Sequence, residues 1–300
     1  MVTREELNEE ISREIEEEER KRKNKKILKI LSFIFIPLFI LFSISYVSLR
    51  YIGNIGIVVK EYPFYNMKIT DDFHGVKVVQ FSDVHFGEFT EKEKIEKLIK
   101  LINNTNPDIV VFTGDLVDVN YAVNLTDQEY LISSFKKINA SLGKYAIKGE
   151  EDSDSFDTIF NNSGFEILNN EVRKIYINDS YINLIAVDNN YGVYSTLLNN
   201  YDGSKFSIAI THFSDNSDNI VNTFAPDIIL AGNSHNGQVR IPFIGPMMKR
   251  IGSKKYIDSY YKINDTELYI SSGIGNTKYN MRLFNHPSIN FFRLKKEASS

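Results

Sequence analysis

Cysteine is absent from the 300-residue chain, and histidine occurs only 5 times. Without cysteine there is no disulfide framework, no thiolate zinc site and no lipid-modified amino-terminal Cys. A surplus of positive charge is missing too. The formal net charge is −4, so nothing points to nucleic acid, and none is expected as a partner. What remains is an ordinary globular composition, 42% apolar and 25% charged, with ample material for a core. No internal repeat is visible.

Charge is also missing from residues 30–47, ILSFIFIPLFILFSISYV. That run is about the minimum that crosses a bilayer, and no small-residue cleavage site follows it. Pro37 is tolerable in a membrane helix. Tyr46 and Tyr51 sit where an interfacial belt would. Lys and Arg crowd the amino-terminal flank, whereas only Arg50 follows closely. The positive-inside rule therefore predicts a single-pass anchor in the cell membrane, amino terminus cytoplasmic and the globular part outside. Before the anchor, a Glu-rich half is followed by a basic half. Leu7, Ile11 and Ile15 form only a thin stripe there, which predicts a solvated arm. The expected division is a charged arm (1–27), a transmembrane signal anchor (28–50), a linker and first strand (51–74), one domain (75–295) and a polar tail (296–300).

Within the domain, residues 76–81 and 109–113 read as buried strands. A helix between them carries Ile95, Leu98, Ile99 and Ile102 on one face, with Thr90 and Glu93 as a capping box. Further helices are expected over 127–138 and around Phe156, Ile159 and Phe160. Strands are expected at 144–148, 172–177, 181–187, 206–211, 228–231, 256–263, 267–271 and 289–294. Strands alternate with helices early and pair as hairpins late, which predicts a mixed α/β sandwich.

Chemistry-bearing residues stand at the ends of these strands. The first delivers Asp83 and His85, and the second Asp115 and Asp118 behind Gly114. Two later strands end at His212 and His235. Three of the five histidines thus fall at strand ends, at the sheet edge where α/β sites form. If the segment stays extended, Asp83 and His85 project to one side. Oxygen and imidazole ligands converging there suit a divalent transition metal. His74 and His286 sit in unpatterned contexts and read as structural.

The order Asp83-Val84-His85, Gly114-Asp115-Leu116-Val117-Asp118 and a solitary His212 resembles the calcineurin-like metallophosphoesterase family. Its pattern is D-x-H, G-D-x-x-D, G-N-H-[DE], H and G-H-x-H. GQVRIPFIGP (237–246) and the ending SSGIGNTKYNMRLFNHPSI are similar to a membrane-associated or secreted bacterial branch. The resemblance spans roughly residues 72–295 and implies a four-layer sandwich of two mixed β-sheets flanked by helices. It also implies two metal ions sharing one Asp. The first would take Asp83, His85, Asp115 and His235. The second would take Asp115, His212, Glu150 and Asn233. The two halves of that site differ. Gly149-Glu150-Glu151-Asp152 stands where G-N-H-D belongs, and Gly232-Asn233-Ser234-His235 where G-H-x-H belongs.

The resemblance therefore implies one or two divalent ions (Mn, Mg, Fe or Zn), with Asp115, Asp118 and Glu151 in catalytic positions. Asn233 offers only a neutral carbonyl oxygen, and Glu150, Glu151 and Asp152 add negative charge near a phosphoryl group. An extended segment would turn Glu151 away. Two functions follow. One is a membrane-anchored phosphoesterase acting on a phosphodiester or phosphomonoester outside the cytoplasm, with lipid or envelope-derived material as substrate. The other is a weakened or inactive scaffold that binds a ligand.

Overall fold

The computed structural model describes residues 4–87, 89–188, 194–277 and 279–297. Leu7's side chain and residues 298–300 of the expected tail lie outside the described residues. The chain falls into two units, 1–48 and 49–300. The first is made by helix α1 (Arg4–Arg50), 47 residues long with Pro37 inside it. The charged arm and the apolar run are therefore one continuous helix. Acid-before-base pairs one turn apart support its polar half, with Glu17 3.3 Å from Lys21 and Glu18 3.7 Å from Arg22. Its apolar stretch has mean hydropathy 2.6, enough to cross a bilayer by length and composition.

The second unit contains β1 (Val58–Asn66), β2 (Lys77–Phe81), α2 (Lys92–Asn104), β3 (Ile109–Thr113), α3 (Leu125–Phe135), β4 (Gly143–Ile147), α4 (Ser155–Asn162) and β5 (Glu166–Ile167). There follow β6 (Glu171–Ile177), β7 (Ser180–Val187), β8 (Ser207–Thr211), α5 (Ser217–Phe224), β9 (Ile228–Ala231), β10 (Arg240–Ile241) and β11 (Gly245–Pro246). The last are β12 (Tyr260–Ile263), β13 (Thr266–Ile270) and β14 (Ser288–Lys296). They form two six-stranded mixed sheets, ordered β1-β14-β2-β3-β4-β5 and β12-β13-β9-β8-β7-β6, with β10-β11 as a separate ribbon.

Side-chain alternation explains why the central strands are apolar on both faces. In β2 and β3, Val78, Ile109 and Val111 point between the sheets, where they meet Leu184, Ile208, Ile210 and Leu230. Their neighbours Val79, Phe81, Val110 and Phe112 point the other way, onto Ile95, Leu98, Leu131, Phe156 and Phe160 of α2, α3 and α4. On the far side, Ala209, Ile229 and Ile270 pack on Ile220, Val221 and Phe224 of α5. The result is helix, sheet, sheet, helix: the four-layer α/β sandwich expected. Parallel pairing of β2 with β3 and of β8 with β9 brings their carboxyl ends to one edge.

Three local expectations are corrected. The capping box does not form. Helix α2 begins one residue later, with Glu91 at its N-cap, and buried Thr90 Oγ1 has no hydrogen-bond partner. Helix α3 starts at Leu125 because Asn124 caps it, its side chain accepting from Asp127 N at 2.9 Å. The last hairpin begins at Tyr260 rather than 256, and α5 was not anticipated.

Candidate metal centre

Backbone geometry gathers the site. Asp83, His85, Asp115, Asn233 and His235 all have positive φ, between 42° and 62°. Non-glycine residues adopt this region at a cost, so their concentration at one edge marks a functional turn cluster. Asp83 and His85 therefore do not converge by strand alternation, because the segment after β2 is not extended. Glycine permits the closest approach. A Cβ on Gly149 would overlap Asp115 Oδ1, and one on Gly114 would overlap His212 Nδ1.

Among the described residues, three groups of ligand atoms lie within one ion's reach. They are Asp83, His85 and His235; Asp83, Asp115 and His212; and His85, Asp115 and Glu151. His85 Nε2 lies 3.1 Å from His235 Nε2 and 3.8 Å from Asp115 Oδ2, and His235 Nε2 lies 3.3 Å from Asp83 Oδ1. Asp83 accepts from Asn233 N at 3.0 Å and from the Ser82 hydroxyl. His212 Nδ1 donates to Thr113 O at 2.7 Å. That turns Nε2 toward Glu150 Oε2, at 2.6 Å, and Asp115 Oδ2, at 3.4 Å. Among the described residues, three buried oxygens of this cluster, Asp115 Oδ2, Glu151 Oε2 and Asn233 Oδ1, have no hydrogen-bond partner. Buried acceptors left open in this way fit a cation, and the donor set suits a divalent ion.

Electrostatics follow from burial among carboxylates. Burial alone would lower the pKa of His212, but Asp115 and Glu150 outweigh it and hold the imidazole well above its ordinary value. His85 is raised in the same way by Glu151, Asp115 and Asp83 against burial. Burial dominates at His235, which falls to about 4 despite Asp83. Asp115 stays below the usual carboxylate range, His212 and His85 overcoming its burial.

Two expected placements change. Asp118 is not in the metal-reach groups; its Oδ1 accepts from Asn120 N at 2.9 Å and closes its own turn. Glu151 is not turned away, since the segment after β4 is a bend and its Oε2 lies 3.2 Å from His85 Nδ1.

One residue takes a role other than the negative charge at the phosphate expected of it, and another, Arg250, has no signal in the sequence. Asp152 accepts from the backbone N–H of Asp115, Leu116 and Gly149 at 2.9, 2.8 and 2.8 Å, locking the two turns together. Arg250 enters the cluster from the irregular stretch after β11. Its Nη2 lies 2.7 Å from Glu151 Oε1, 3.3 Å from Glu150 Oε1 and 3.7 Å from Asp115 Oδ2. Its Nη1 donates to Thr277 Oγ1 at 2.9 Å. Beside the cluster a cleft of about 580 Å³ opens along Gly149 and Glu150, with Lys148, Asn169, Asp188 and Phe213 in its walls.

The family model described as calcineurin-like phosphoesterase matches residues 76–270. The chain is 30% identical over 256 residues to the uncharacterized metallophosphoesterase YkuE of Bacillus subtilis, covering 82% of this chain and 88% of that protein. It is 19% identical over 222 residues to the phosphodiesterase YaeI of Escherichia coli, covering 73% and 82%. Among solved structures, TT1561 of Thermus thermophilus superposes with a TM-score of 0.45 at 10% identity, covering 67% of this chain and 90% of that one.

Proposed function

Because the chain belongs to the calcineurin-like phosphoesterase family, we propose that it is a membrane-anchored phosphoesterase working at the outer surface of the cell membrane. Its substrate is a phosphodiester or phosphomonoester carried by a lipid or an envelope polymer. The observation that carries the reading is the buried cluster at this edge: Asp83, His85 and His235 have ligand atoms within one ion's reach, His85 and Asp115 share a second such group with Glu151, and Asp115 Oδ2 has no hydrogen-bond partner. Asp83, His85, Asp115 and His235 would hold one divalent ion, and His212, Glu150 and Asn233 border the half-site beside it. A bound ion supplies Lewis acidity toward a phosphoryl oxygen and makes water more acidic. The protein's own groups do the rest. Thr113 O and Asp152 fix the orientation of His212 and of the Asp115 turn, and the cleft along Glu150 receives the ester.

The anchor is the apolar run in α1, with the amino terminus inside by the distribution of Lys and Arg. An exposed apolar edge supports a substrate held at the bilayer. Phe243 and Ile244 stand free at the tip of the β10–β11 ribbon, and Phe284 is exposed next to it in sequence register, with Arg240 N donating to Leu283 O at 3.0 Å. In the same segment Arg282 N donates to Leu49 O at 2.9 Å, two residues after the apolar run ends. The tip and the first residue of the second unit are thus tied to one stretch of chain.

A second reading, a ligand-binding scaffold with little turnover, is favoured by Glu150, Glu151 and Asn233 at the departing positions and by the Arg250 pairs. One assay separates the two. The full chain in detergent micelles, supplied with Mn²⁺, is expected to hydrolyse bis-p-nitrophenyl phosphate, and Asp115→Ala to abolish this. A silent wild type, together with turnover by the triple variant Glu150→Asn, Glu151→His, Asn233→His, establishes the scaffold instead.

A further inference from the structure

Glu150 and Glu151 stand at two of the three positions read above as departing from the family pattern, and both are held by the same side chain. Arg250 Nη2 alone lies 3.3 and 2.7 Å from them and 3.7 Å from Asp115 Oδ2, the oxygen a second ion would have to share. Only 16% of its side chain remains exposed, and Thr277 Oγ1 fixes its other nitrogen. The guanidinium is therefore a built-in cation inside the cluster rather than a surface group swinging over it.

We infer that Arg250 occupies the charge position of the second metal ion, so that this protein carries a one-ion centre completed by a guanidinium. The proposal rests on the metal-dependent reading above and narrows it. Two features of the chain agree. A divalent ion between Asp115 Oδ2, His212 Nε2 and Glu150 would meet a fixed positive charge at close range, with little water to screen it. The ligand that would hold such an ion from the β9 side is Asn233, a neutral amide in place of an imidazole. Its Nδ2 is already committed to Ile251 O at 2.6 Å, the residue next to Arg250, so the amide braces the arginine segment. Of the first ion's ligands, Arg250 also reaches His235 Nε2 through Nη1 at 3.4 Å and Asp115 Oδ2 through Nη2 at 3.7 Å, while Asp83, His85 and His235 stay within one ion's reach of each other.

Arginine suits the role better than lysine. Its planar fork lets Nη2 pair both carboxylates while Nη1 binds Thr277, it stays charged when buried, and it presents N–H groups to phosphoryl oxygens when a carboxylate moves. The acidic substitutions and the arginine then form one coupled set. Glu150 and Glu151 without Arg250 would repel a phosphate, and Arg250 without them would be a buried unpaired charge.

The test counts ions. Full-length protein in detergent is stripped with chelator, equilibrated with Mn²⁺, freed of unbound metal and measured by elemental analysis and electron paramagnetic resonance. Wild type is expected to bind one Mn²⁺ per chain with an isolated six-line spectrum, and Arg250→Lys the same. Arg250→Met is expected to bind two, with a spin-coupled spectrum. Arg250→Gln, which keeps a donor for Thr277, serves if the Met variant does not fold. Two ions in wild type, or a single ion in a folded Arg250→Met or Arg250→Gln protein, overturns the inference and leaves the family activity intact. No ion in wild type overturns both.

Discussion

The Nε2 atoms of His85 and His235 face each other at 3.1 Å, although 150 residues separate them in the chain. Two imidazole nitrogens at that distance share at most one proton between them, and the nearest acceptors are the Asp83 and Asp115 carboxylates at 3.3 and 3.8 Å. On the metal-dependent reading, a divalent cation held here would take the place of those missing protons. Metal should therefore stabilise the folded domain. With Mn²⁺ at about 100 times its dissociation constant, linkage contributes ~2.7 kcal/mol, or roughly 5–10 °C in Tm for a domain of this size. Near-UV circular dichroism of the tyrosines follows the melt. Chelator should remove the gain, and His235→Ala should show none with or without metal.

The same pair shows what the sequence made legible. Asp83, His85, Asp115, His212 and His235 were readable because each ends an apolar run, and the run predicts both the strand and the edge at which it stops. The four layers were readable for the same reason. Arg250 was not, because the segment from β11 to β12 has no period to place it, and one Lys-Arg pair among many carries no signal. The role of Asp152 was hidden because it is the third of three consecutive acids; only the turn decides that it faces the backbone of Asp115 while Glu151 faces His85. Left-handed φ values at Asp83 and His85 likewise belong to tertiary context, which overrode the strand alternation expected there. The parallel pairing of β1 with β14, with Val58 opposite Ser288, joins the two ends of the domain and is invisible to any local pattern.

Arg282 is wholly buried, yet it donates only to uncharged acceptors: Asn276 Oδ1 and the carbonyls of Ser272, Asn285, Gly273 and Gly275. Burial lowers its pKa to about 9, Asp83 opposing. The side chain is the internal frame of the loop that passes behind Asp83 and His235. Lysine offers three donors from a single point and cannot span these acceptors. Arg282→Lys should therefore leave several carbonyls unpaired, at about 1–3 kcal/mol each, and destabilise the domain by more than ~3 kcal/mol. Thermal melts check the loss of stability. Mn²⁺ titration of protein that remains folded should show weakened affinity, because the loop supports the metal ligands.

Lys60 on β1 donates to Ser272 Oγ at 2.8 Å, and its pKa is lowered to about 8 by burial, with Arg282 and Arg240 adding to the effect. The sign follows from proton counting. Between about 8 and 10.5 the unfolded chain holds a proton on this amine that the folded chain has released, so stability rises with pH across that window. Below it the folded state carries an unfavourable charge. Wild type should gain stability relative to Lys60→Gln between pH 8 and 10, with the two curves parallel below pH 7. Denaturant midpoints at each pH measure this. Parallel curves throughout would show that Lys60 titrates at its ordinary value.

The apolar tip at Phe243 and Ile244 gives the reading of a bilayer-held substrate a sharp consequence. Both side chains are exposed, Phe243 fully so, on a two-strand ribbon whose partner segment also binds the carbonyl of Leu49. Moving a Phe or Ile side chain from water into an apolar layer is worth about 1.5–3 kcal/mol, and 1.4 kcal/mol is a factor of ten in binding. The double change Phe243→Ser, Ile244→Ser should therefore leave turnover of a soluble chromogenic phosphoester within about twofold of wild type. It should lower turnover of a phosphoester lipid presented in vesicles by about tenfold or more, with the loss in KM rather than kcat. Equal losses on both substrates would mean that the ribbon shapes the site itself. No loss on either would remove the membrane surface from the account of how this protein meets its substrate.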